Sequence, residues 1–378
     1  MFFLDELGSG FAPAAAPLIT LDHGVDAGRG AGGLLAAFYG LALLVEPSLL
    51  RWSERFRVRR WLVAWLAALG AVLLGAALTQ SYWLLLVVLA LYGPVSGAVT
   101  SVAEGTLVEA TPDARERTMS RIMLAGGLGD LAVPAVLAAL ATLGGGWRGA
   151  HALAAAVAVV LAVGLWHARS LDRRVASADD DEDEAPDPPR LRDAARDPRV
   201  AGWVLASAAT NLMDEVMSAF TAVHVYAHVT RDPAELAVAA GAWIAGGLAG
   251  VAILERALAR AAPVAPMRAL LVTGALGLAA FAALLAARDL AWACVALAVL
   301  GAAVSTYYPI VHARAYAALP GHPGVVNGLV AVCSPLELAA PLALGLLVDR
   351  AGSASALAVL ALVPAAMVVV ALRAKDGR

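Results

Sequence analysis

Apolar residues fill this chain in runs of about twenty, each closed by a short cluster of Gly, Pro, Arg or acidic residues. A run of that length crosses the hydrocarbon core of a bilayer as one helix. Twelve runs are readable, with boundaries good to a few residues. The first six span about 2–19, 33–50, 61–79, 83–108, 118–142 and 150–167. The second six span about 200–227, 235–254, 268–286, 290–313, 324–348 and 353–372. The pattern predicts an all-α polytopic membrane protein with 12 transmembrane helices as two six-helix bundles.

Composition agrees. Of 378 residues, 61% are hydrophobic and only 15% charged, where soluble domains carry about 25% charged residues. A net charge of −3 gives no reason to expect a nucleic-acid partner. Cys294 and Cys333 both lie in apolar runs and read as small hydrophobes without a disulfide framework. The first run has no basic flank and carries two acids, so it does not read as a cleavable signal. A single lysine, Lys375, against 26 arginines reflects coding bias rather than chemistry.

Most loops are short, as between antiparallel neighbours. The exception, 168–199, holds the acidic run 179–184 followed by Pro186, Pro188 and Pro189. Like charges beside prolines stay solvated, and the segment reads as a tether. It divides the chain into an N-terminal six-helix bundle, 1–167, a linker, 168–199, and a C-terminal six-helix bundle, 200–378. Arginines set the orientation. Arg51, Arg55, Arg57, Arg59 and Arg60 follow span two, Arg115 and Arg117 follow span four, and seven lie in the linker. Arg256 and Arg260 follow span eight, whereas the alternate loops hold one arginine each or none. Both termini and the linker are therefore expected in the cytoplasm, in a bacterial-type inner membrane.

The two halves repeat one another. Leu4-Asp5-Glu6-Leu7-Gly8-Ser9-Gly10-Phe11 returns as Met213-Asp214-Glu215-Val216-Met217-Ser218-Ala219-Phe220, 209 residues later. Glu46 and Glu255 share that offset, and Asp130 with Pro134 matches Glu337 with Pro341 at 207. At 208, Glu104 falls opposite His312. Because six is even, both halves have the same orientation, and the repeat axis runs along the membrane normal.

Twelve helices as six plus six, inside termini and a charged central linker resemble the major facilitator superfamily over the whole chain. That family's motif G-x-x-x-D-R-x-G-R-R, between helices two and three, is present in degraded form as Leu50 to Arg60. Glu54 and Arg55 keep its acid–base pair, while Leu50 and Arg57 replace its glycines. Its glycine-rich helix-five motif is echoed by Gly126-Gly127-Leu128-Gly129-Asp130 and Pro134. The resemblance implies that helices one, four, seven and ten line a central cavity with two, five, eight and eleven beside them. The intramembrane charges fall on those helices.

A carboxylate in an apolar run is costly to bury and is read as functional by default, the alternative being a hydrogen-bonded packing pair. Asp214 lies about fourteen residues into span seven, roughly 21 Å deep. Asp130 and Glu337 are central by the same count. Asp5, Glu6, Asp214, Glu215, Asp130, Glu337 and His312 are thus the candidate substrate- and proton-binding residues. Asp5, Glu6, Asp214 and Glu215 are expected to face one another between the halves. Within each pair, neighbours on a helix point about 100° apart, so one acid faces the cavity and its neighbour bonds a helix. A carboxyl held in low dielectric can bind and release protons near neutral pH. Glu46, Glu54, Arg55, Glu104, Arg121 and Glu255 lie near cytoplasmic ends and are the candidate gate. Tyr92, Gly93, Pro94, Tyr307, Tyr308 and Pro309 are candidate cavity walls, and Pro13 and Pro17 bend span one. Only four residues precede Asp5, which predicts that span one lacks about ten N-terminal residues relative to span seven.

The reading is a secondary transporter, not an enzyme, with no cofactor and no metal site, acting as a monomer in the lipid bilayer. Its partners are protons and a small solute. Acids without matching Arg or Lys favour a cationic, zwitterionic or neutral amphipathic substrate, exported by alternating access. Proton-coupled uptake and a divalent-metal carrier are the alternatives. The G-x-G-D match at Gly127–Asp130 suggests an intramembrane aspartyl protease, but that family's Tyr-Asp and Pro-Ala-Leu motifs are missing. No phosphate-binding G-x-x-x-x-G-K-[S/T] loop occurs, so nothing indicates an ATP motor.

Overall fold

The computed structural model describes residues 1–25, 27–168, 188–260 and 264–374; within these, the side chains at Pro17, 27–32, 35, 36, 38, 39, Glu215, 233, 234, Glu337, 338 and 342 are not described. The acidic run 179–184, Lys375 and Arg378 lie outside the described residues, as do the side chains of Arg29, Glu215 and Glu337. Among the described residues there is no strand.

The first half runs α1 (Phe2–Ala14), α2 (Ala16–Asp22), α3 (Ala27–Ser53), α4 (Val58–Leu78), α5 (Tyr82–Glu109), α6 (Arg115–Thr142) and α7 (Gly146–His167). A 3₁₀ turn, Pro112–Ala114, leads into α6. The short α8 (Leu191–Ala194) lies within the expected linker, near its end. The second half opens with α9 (Pro198–Asn211), α10 (Glu215–His228), α11 (Pro233–Leu258) and α12 (Pro266–Ala286). It continues with α13 (Leu290–Val304), α14 (Tyr307–Ala318), α15 (Pro323–Val332), α16 (Ser334–Ala351), α17 (Ser353–Leu360) and α18 (Leu362–Arg373). Among the described residues nine helical stretches are long and apolar enough to cross a membrane. They match expected spans three to six and eight to twelve. Expected spans one, two and seven fall on α1 with α2, on α3, and on α9 with α10.

Several expected spans are two helices in line. A proline lacks the N–H for the carbonyl four residues back, and its ring crowds that carbonyl. Accordingly α13 yields to α14 at Ser305–Thr306, before Pro309, α15 yields to α16 at Cys333, before Pro335, and α17 yields to α18 at Ala361, before Pro364. The break between α9 and α10 has no proline. It covers Leu212–Asp214, where Met213 N–H bonds Thr210 O and Asp214 N–H reaches Asn211 O in tight turns. Asn211 and Asp214 are residue types whose side chains compete with the helical backbone, so the repeated acidic motif itself interrupts span seven.

The chain forms two compact units. Unit 1 comprises Met1–Ala110, Ala125–Asp197 and Leu319–Val332; unit 2 comprises Thr111–Leu124, Pro198–Ala318 and Cys333–Arg378. Two segments are exchanged: Thr111–Leu124, from the first half of the sequence, groups with unit 2, and Leu319–Val332, from the second half, groups with unit 1. In unit 1 a core of Leu4, Phe11, Trp61, Leu66, Leu69 and Tyr92 joins α1, α4 and α5. In unit 2 Met217, Leu270, Phe281, Leu300, Tyr307 and Ile310 do the same for α10, α12, α13 and α14.

Small residues let helices close on one another, as expected where apolar burial cannot drive packing inside lipid. A Cβ at Gly129 of α6 would meet the Phe3 carbonyl, with Glu6 Cβ at 3.1 Å and Leu7 N at 3.2 Å. One at Gly126 would stand 3.2 Å from Glu6 Cγ. On α11, Gly246 and Gly250 lie directly against the Ala298 and Ala302 backbone of α13. The end of the linker is fixed too, because Arg51 donates to Pro189 O (Nε, 3.0 Å) and Pro188 O (Nη2, 2.7 Å).

Candidate functional site

Unit 1 separates the two acids of its motif. Asp5 and Glu6 are adjacent on α1 and take different neighbours. Asp5 turns to α5, where Ser96 Oγ donates to its carboxylate through a short hydrogen bond. One turn earlier, the Tyr92 hydroxyl donates to the Asp5 carbonyl at 3.1 Å. Glu6 turns instead to the glycine face of α6, over Gly126 and Gly129. Glu46 of α3 comes to the same stretch of α5. A Cβ on Gly97, beside Ser96, would lie 2.9 Å from Glu46 Cδ. Asp5 and Glu46 therefore bracket Ser96–Gly97. Asp130 is exposed on α6, and Glu104 is half-buried on α5.

Unit 2 holds the other motif copy. Asp214 is exposed at the α9–α10 break and caps α10 by position, with no side-chain cap hydrogen bond. His312 on α14 is enclosed. Its Nδ1 and Ser207 Oγ of α9 hydrogen bond at 2.7 Å, the Tyr308 ring stacks on it at 4.7 Å, and the Tyr316 ring meets it edge-on at 4.7 Å. Ser207, His312 and Tyr316 are all within 1% of full burial. The backbone of Glu215 begins α10 and that of Glu337 lies within α16.

The arginine-rich ends carry two clasps, each made by an exchanged segment. In unit 1, Glu54 lies in the turn between α3 and α4 and is buried. It accepts from Val325 N–H at 2.9 Å and pairs with His322 Nδ1 at 2.9 Å, at the start of α15. Gly324 lies tight against Leu50 O and Glu54 Cγ, so a side chain there would displace the contact. Burial holds the Glu54 carboxyl above its ordinary range, opposed by the hydrogen bonds from His322 and Val325. Gly321 N–H points to Glu109 at 3.4 Å. In unit 2, Arg117 and Arg121 of α6 converge on Glu255 Oε1 at 3.0 and 2.9 Å. Glu116 meets Arg314 of α14 at 3.2 Å. Arg55 is exposed beyond α3.

Sequence reasoning missed Ser96, Ser207, His322 and Arg314. The first two are neutral and ordinary in membrane helices. Span ten was read as ending at 313, one residue before Arg314. His322 sits in a turn whose partner is distant in sequence, so no periodicity marks it.

Carboxylates and a histidine on interrupted membrane helices, held by hydroxyls, with acid–base clasps at the helix ends, define a membrane transport protein. The chain belongs to the Major Facilitator Superfamily, whose family profile matches residues 1–336. Among solved structures, the E. coli fucose:proton symporter FucP superposes with a TM-score of 0.76 at 15% identity, covering 100% of this chain and 97% of that one. FucP in its outward conformation gives 0.69 at 16% identity, over 100% and 97%. The human organic anion transporter MFSD10 (TETRAN) gives 0.72 at 17% identity, over 98% and 96%. No curated protein matches the chain significantly.

Proposed function

We propose that this transporter is proton-coupled and exports a small cationic, zwitterionic or neutral amphipathic solute by alternating access. Asp5 carries the proton in unit 1, and Asp214 or Glu215 is its counterpart in unit 2. The observation that supports this most is the Asp5–Ser96 pair, a carboxyl on a membrane helix held by a hydroxyl rather than by a cationic side chain. Such a group can lose and regain a proton without breaking an ion pair. Substrate charge follows from the acids on the same helices, since Arg314 is already matched by Glu116. FucP, a symporter by its name, supports proton coupling and favours uptake as the second reading of direction.

The test is flux in liposomes under an imposed pH gradient, against a panel of cationic, neutral and anionic solutes. Asp5→Asn keeps size and hydrogen bonding. It is expected to abolish proton-driven flux and retain exchange of substrate down its own gradient. Asp214→Asn or Glu215→Gln is expected to do the same. If all three respond to the gradient as wild type does, these carboxylates are packing residues and the coupling reading is wrong.

A further inference from the structure

The connection between α3 and α4 carries, beside Glu54, an aromatic feature outside the candidate site. Trp52 and Phe56 leave the end of α3, and Trp61 and Trp65 enter α4. Their rings form a continuous ladder, with centroids 4.8 Å apart for Trp52–Phe56 and 5.3 Å for both Phe56–Trp61 and Trp61–Trp65. They wall a groove of about 390 Å³ floored by Ala64 and Ala68. That volume falls in the roughly 300–1,000 Å³ range of ordinary ligand pockets. Trp52 and Phe56 are exposed.

Arg60 completes the lining at one end. Its neighbours are engaged: Arg51 on the linker carbonyls, Arg59 on Trp166 O at 2.8 Å, and Arg55 and Arg57 in contacts of their own. Among the described residues, Arg60 has no hydrogen bond or ion pair. From Arg60 to Ala68 the groove follows α4 for about 12 Å. It is cationic at the helix end, aromatic at the depth where Trp anchors helices, and small and apolar below. That order matches the polarity of a phospholipid entering from its own leaflet, with phosphate first and acyl chain after. The uncommitted positive charge selects an anionic headgroup.

We propose that this groove is a specific site for one anionic phospholipid, with the phosphate on Arg60 and one acyl chain along Trp61, Ala64, Trp65 and Ala68. The site is independent of what the protein carries and of the direction of transport. The probe is purified full-length protein in detergent, titrated with phosphatidylglycerol or phosphatidylcholine and read by native mass spectrometry. Wild type is expected to retain one phosphatidylglycerol in preference to phosphatidylcholine. Arg60→Gln is expected to lose about fivefold of that preference, the contribution of one basic side chain near an anionic surface. Ala64→Trp fills the groove from an exposed position and is expected to lose both lipids while eluting as folded protein. Glycerol phosphate, a headgroup without chains, is expected not to compete. Equal retention of the two lipids by wild type overturns the proposal. So does an unchanged preference in Arg60→Gln, full retention by folded Ala64→Trp, or competition by glycerol phosphate.

Discussion

At the scale of single residues, Glu54 connects acidity to the clasp on α15. Its carboxyl is pushed up by burial when Val325 and His322 are docked on it. A group with a raised value in the docked state binds its proton more tightly there than when solvated. Docking is therefore favoured as pH falls through the raised value and weakened as pH rises through it. The docked fraction of 319–332 is expected to grow as pH is lowered, and Glu54→Gln is expected to flatten that response. Electron–electron resonance distances between spin labels at Ser48 and Leu319 across a pH series measure it; a docked fraction that rises with pH gives the wrong sign. Glu54 stood out in the sequence because the degraded loop motif keeps its acid. Its partner was not, because His322 lies 268 residues away and no local pattern links them. The same holds for Asp5 and Ser96: an acid in an apolar run stands out, whereas the serine that holds it looks like any other.

At the scale of elements, glycine contacts decide which helices can pair. Gly250→Leu would drive a side chain into the Ala302 backbone, which cannot yield as a flexible side chain can. Overpacking of this kind costs typically about 1–3 kcal/mol. A lowered thermal midpoint in detergent is expected, and an unchanged midpoint would show that α11 and α13 separate freely. Gly129→Val tests the α1–α6 contact in the same way, with Phe3 O and Leu7 N as the obstructing atoms. Here the sequence pointed to the right residues for another reason. Gly126 and Gly129 stood out as an echo of a family motif, and the structure uses them to seat Glu6. The helix breaks were half legible. Pro309, Pro335 and Pro364 announce theirs, but hydropathy treats each span as one rod. Nothing apolar marks the interruption at Leu212–Asp214, where polar side chains rather than proline disturb the helix.

At the scale of the whole molecule, the arginine distribution predicts a topology that labelling can check. Cysteines at Arg57, Arg117, Asp181 and Arg378 are expected to react from the cytoplasmic side, and those at Arg29 and Arg231 from outside; an external Asp181 would reverse the orientation. The all-helical fold and its family were legible because a bilayer leaves few ways to satisfy a backbone, and duplication repeats the answer. The exchange of Thr111–Leu124 and Leu319–Val332 between units was not, since hydropathy records which residues are buried and not against what. That exchange has a mechanical corollary. The chain passes from unit 2 to unit 1 at Leu124–Ala125, immediately before Gly126-Gly127, and from unit 1 to unit 2 at Val332–Cys333, at a helix break just ahead of Pro335. Two of the five places where the chain crosses between units therefore lie beside a Gly-Gly pair or a helix break, backbone that resists bending least. Stiffening the first with Gly127→Ala is expected to slow turnover while leaving substrate affinity unchanged, a kinetic signature that separates a joint from a binding contact.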